Sequence, residues 1–114
     1  MKLENCCRRL SENAQRIFVL VENIPLEQVR WKPEPDSWSI LEVVNHLLDE
    51  EKLDFRMRLD ITLHRTGEIW PAINPPLWVT ERRYNEQDPV DSLARFLAAR
   101  EESLTWLKSL TAPD

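Results

Sequence analysis

Apolar residues recur at alternating steps of three and four from the first turn of the chain: Leu3, Cys7, Leu10, Ala14, Ile17, Val21 and Ile24. That spacing belongs to a helix with one buried face and is incompatible with the two-residue alternation of a strand. Two further segments carry the same signature. The second begins at "WSILEV", where Ser39 can cap and Glu42 stands three residues on, with Trp38 and Val43 at the positions of a hydrophobic staple. It extends to about His64, because neither Gly nor Pro interrupts it. The third begins at "DPVD", with Asp88 suited to the N-cap and Pro89 to the first helical position. Its stripe is Val90, Leu93, Leu97, Leu104, Leu107 and Leu110. The expected fold is therefore all-α: an up-and-down helix bundle with three long helices.

The connections are less regular. Residues 65–88, "RTGEIWPAINPPLWVTERRYNEQD", hold three prolines and no sustained period. So long a connection in a small domain reads as a functional loop, a lid or a disordered segment. Trp70, Trp78 and Tyr84 argue for packing. The 114 residues suit one domain, residues 1–114. Its wide apolar faces are more often met in bundles of four helices than of three, so the bundle is expected to be incomplete at its C-terminal end.

A net charge of -5 with no Lys/Arg stripe speaks against nucleic acid. No apolar run approaches the roughly 20 residues that span a bilayer. Cys6 and Cys7 are adjacent, so they cannot close a loop with each other, and the expected compartment is the reducing cytoplasm. Cys7 lies on the first helix's apolar stripe and reads as core.

The second helix carries the one candidate site. On a helical wheel Asn45, Asp49, Lys52, Arg56 and Asp60 gather in a polar sector of roughly 80°. Most of the remaining circle is apolar, Phe55 included. His46 falls within that apolar arc, between Leu53 and Met57 on one side and Val43 and Ile61 on the other, and Glu50 lies on the same strip. A carboxylate there must be paired or coordinated. The pair therefore reads either as a His–Glu hydrogen bond or as a metal ligand with an oxygen nearby. His64 is 18 residues further, about 27 Å along the axis, and cannot share an ion with His46 on one helix.

The series Trp31, Pro33, Ser37, Trp38, Ser39, Ile40, Glu42, Val43, His46, Leu47 and Glu51, with Phe96, Arg100 and Leu104 further along, resembles the DinB-like superfamily of four-helix bundles, which includes YfiT-like metal-dependent hydrolases and thiol transferases. It is unrelated to the DNA polymerase that shares the DinB name. The resemblance implies a divalent metal, zinc or nickel, held by three histidines, one from the second helix and two from an HxxxH pair on a fourth. His46 matches the first, and two partner histidines are absent from these 114 residues. Glu50 matches no required ligand and reads as supporting or structural; no catalytic residue is assigned. Two functions fit the chain. One is a metal-dependent enzyme domain acting on a small molecule, with Trp70, Trp78 and Tyr84 lining a cavity beside His46. The other is a metal-free helical scaffold for dimerisation or small ligands. An open apolar strip around Val43, His46, Leu53 and Met57 further implies a two-fold homodimer.

Overall fold

The computed structural model describes residues 2–65, 67 and 75–110. Among the described residues six α-helices occur in the order α1 (Leu3–Val21), α2 (Leu26–Val29), α3 (Ile40–Glu50), α4 (Arg56–His64), α5 (Pro75–Glu81) and α6 (Pro89–Ser109). A π-helical turn, Glu51–Phe55, joins α3 to α4, and a 3-10 turn, Tyr84–Glu86, precedes α6. No strand occurs among the described residues.

The helix ends are where the local chemistry demands them. The Ser39 hydroxyl accepts from the Glu42 amide at 3.0 Å, and the Ser39 amide donates to the Glu42 carboxylate at 2.9 Å, so the capping box closes in both directions. Asp88 accepts from the Val90 amide ahead of Pro89. The α1 stripe breaks at Asn23, which adopts a left-handed φ of 65°, a conformation Asn tolerates better than most residues.

Packing around α6 gives the topology. Cys7 meets Leu104 and Leu107, whereas Ala14 meets Phe96 and Ala99, so α1 runs antiparallel to α6. Along the other flank Leu48 packs with Phe96 and Ala99, and Leu59 with Leu104 and Leu107, so α3 and α4 run in the same sense as α6. The order is thus up, down, down, so the last two long helices run parallel where a strictly up-and-down bundle would alternate them. Bringing the chain back to the start of a parallel neighbour requires a crossing about as long as the 21-residue α6, roughly 30 Å, which explains why residues 65–88 form so long a connection. Part of that connection is helical where no period predicted it, as α5 and the 3-10 turn. Cys7 is buried in the core, as its place on the stripe requires.

The polar sector assigned to the second helix is corrected by the structure. Asn45 is buried and donates to the carbonyls of Leu41 and Tyr84, each at 3.1 Å. Asp49 accepts from the Tyr84 hydroxyl and pairs with Arg82 at 3.1 Å. Arg56 reaches α6, donating to the Ser103 hydroxyl and the Ala99 carbonyl at 3.1 Å each. Phe55, counted among the apolar positions, is instead 37% exposed. The π-turn is the cause. Leu41 and Leu48 are buried, and a seven-residue step would bring Phe55 onto the same inward line. One extra residue per turn hands that place to Arg56.

Candidate functional site

His46 stands on the outer strip of α3, away from α6. Its Nε2 lies 3.8 Å from Glu50 Oε1, with the two side chains 24% and 25% exposed. The ladder continues at four-residue steps: Glu50 shares a hydrogen bond with Asp54, and Asp54 pairs with Arg58. Burial, aided by the Asp54 hydrogen bond and charge, raises the Glu50 carboxyl to about 7. Burial lowers the His46 pKa against the opposing pull of Asp49 and Asp54, which favours the neutral ring. Trp38, just outside the helix cap, sets its ring edge-on to the imidazole with centroids 5.0 Å apart. The His46 Nδ1 is shielded from solvent and has no hydrogen-bond partner among the described residues.

His46 and Glu50 share the strip, but the expected His–Glu hydrogen bond is not formed between them. A carboxylate beyond one ring nitrogen and an uncommitted second nitrogen is how an imidazole is held to meet a cation. At 3.8 Å the Glu50 contact is an ion pair only when the imidazole is protonated, and it is too long for a good hydrogen bond.

The remaining expected positions lie elsewhere. His64 bonds Asp60 through Nδ1 at 2.9 Å, and its ring sits edge-on to Trp106. Tyr84 is 3% exposed with its hydroxyl on Asp49, and Trp78 is half-buried with the Arg82 guanidinium 4.6 Å above its ring. Both are packed by other side chains. Trp70 lies outside the described residues.

Sequence reasoning missed a second row of charge, on the inner side of the same helix. Glu51, 5% exposed at the side chain, accepts from Arg100 Nε and a terminal guanidinium nitrogen at 3.0 Å each, while the other terminal nitrogen donates to the Leu10 carbonyl at 2.7 Å. That single pair ties α1, the π-turn and α6 together. The signal was available: Glu51 and Arg100 both fall in the motif series, and the structure brings them face to face.

A family model described as the DinB superfamily matches residues 9–114. The chain belongs to the DinB superfamily. No curated protein and no solved structure matches it. Metal binding is general in the superfamily. Against that expectation, the described residues contain no group of three His, Cys, Asp or Glu side chains that could hold an ion. His46 fits as one donor, but the described side chains do not form a complete centre around it, and their geometry supports no catalytic step through a metal. Nor is any helix among the described residues long and apolar enough to cross a membrane.

Proposed function

We propose that this DinB-superfamily chain serves metal-dependent chemistry on a small molecule, of the thiol-transferase or hydrolase type, with His46 as one donor to a zinc or nickel ion. The observation that supports this reading is the uncommitted, solvent-shielded Nδ1 of His46, on a ring steadied by Trp38 and faced by Glu50. The other donors come from outside the described residues, and a second copy of the chain, related by a two-fold axis along the open strip, is the proposed partner. The cytoplasm is the compartment in which the unbridged Cys6 and Cys7 are at home.

A second reading is a metal-free helical scaffold for dimerisation or small ligands. It is favoured by the packed state of Tyr84 and Trp78 and by exposed Ile40 and Val43 beside the His46 strip.

Metal content per chain separates the two. After incubation with zinc or nickel and desalting, retention near one ion per site that disappears in His46→Ala supports the enzyme reading. Retention unchanged by His46→Ala, or no retention at all, leaves the scaffold.

A further inference from the structure

The π-turn sets Arg56, 27% exposed at its side chain, on the inward line where a continuous helix would set Phe55, against the ordinary preference of a helix packed on a core. With α3 and α4 continuous, Phe55 would join Leu41 and Leu48 on the inward line, and burial of its ring would be favourable. Arg56 would lose its place on Ser103 and Ala99. The contacts of Arg56, including a partly exposed pair with Glu102 at 3.6 Å, contribute little by themselves, so a further contact is needed to hold the turn open. Glu51 opens the turn, and its carboxylate is caught from the opposite side by Arg100, which is itself anchored on the Leu10 carbonyl of α1. One Glu51 oxygen, Oε1, takes both guanidinium contacts. The other, Oε2, is shielded and has no hydrogen-bond partner among the described residues, so the carboxylate is held for its grip on Arg100 rather than for full satisfaction.

We infer that the Glu51–Arg100 pair is a conformational clamp: it holds the π-turn between α3 and α4 and thereby fixes Arg56 inward and Phe55 outward. The outward Phe55 borders a groove of about 370 Å3 shared with Asp54, Arg58, Leu59 and Thr62, on the strip that continues from His46 and Glu50. The clamp therefore decides that the Phe55 ring, and not the Asp54 carboxylate that a one-residue step would bring there, borders that groove. It acts whether or not His46 meets a metal.

The test uses the full metal-free chain, Glu51→Gln, and nuclear Overhauser contacts between Phe55 and the Ala99 methyl group. The expected result is a new Phe55–Ala99 contact in a variant whose far-UV circular dichroism keeps its helical strength. A Phe55 ring that stays outward with no Ala99 contact in a folded variant overturns the inference. Should Glu51→Gln fail to fold, Arg100→Lys, which keeps the charge but not the forked contact, is read in the same way. Deleting Lys52 provides a second arm. It removes one residue from the turn, so a continuous helix then carries Arg56 inward and Phe55 outward without a clamp. In that background Glu51→Gln should leave Phe55 outward; a Phe55–Ala99 contact there would contradict the clamp.

Discussion

Two rows of charge share one helical segment, and their contrast explains more than either alone. The outer row, His46, Glu50, Asp54 and Arg58, faces partners on its own helix at four-residue steps and leaves His46 Nδ1 unpaired among the described residues. The inner row, Asp49, Glu51 and Arg56 with the neutral Asn45 among them, is met from other elements: the Tyr84 carbonyl and hydroxyl, Arg82, Arg100, Ser103 and Ala99. Charges answered locally leave the helix free of tertiary obligation on that side and available for a ligand. Charges answered from across the bundle fix how the helices lie against one another.

The largest expected difference is between the two ion pairs. Arg100→Ala leaves Glu51 buried and uncompensated and should lower unfolding free energy by about 3–5 kcal/mol in urea titrations. Arg58→Ala on the outer row should cost under about 1 kcal/mol. Similar losses at the two positions would break the distinction.

A smaller test removes one oxygen from the inner row. Tyr84→Phe deletes the donor to Asp49 while Arg82 remains, and a loss of about 1–2 kcal/mol is expected by thermal unfolding. Ser39→Ala removes the cap of α3 and the 2.6 Å bond from the Ser39 hydroxyl to Asn85, for about 1 kcal/mol. If Ser39→Ala proved the costlier of the two, the cap would outweigh the Tyr84–Asp49 anchor.

The three long helices were legible because each repeats its apolar residues over several turns, and two of them announce their starts with Ser39 and Asp88. The direction of α6 was not legible. Residues 65–88 have no period, and the need for a crossing appears only once Leu48 and Leu59 are seen to climb α6 in register. The π-turn was hidden for a sharper reason: Phe55 reads as the natural continuation of Leu41 and Leu48, so the pattern points away from the structure at that place. Such local conflicts are where tertiary contacts have overruled local pattern. His46 and Glu50 were placed correctly on one strip by spacing alone. What would face His46 from outside the helix was not legible, since one helix supplies only one side of a site.

The subtlest effect is one of pH. Glu50 has a folded pKa of about 7 against an ordinary 4.5, so its contribution to stability is fully present below 4.5 and is lost as pH rises through about 7. His46 has the opposite sign: its lowered pKa disfavours the fold as pH falls below its ordinary 6.5. Glu50→Gln should therefore remove the decline in stability between pH 4.5 and about 7 and leave the acid-side loss from His46. Urea midpoints across that range check it; a decline that persists in Glu50→Gln would place its source elsewhere.

The most direct measurement of the His46 assignment is a zinc titration monitored through the ring nitrogens of 15N-labelled histidine. The chain has two histidines, so each reports separately once His46→Ala has assigned the pair. A metal-donor role predicts that the His46 resonances move with added zinc while those of His64, held by Asp60, stay in place. Movement of His64 alone, or of neither ring, would contradict it.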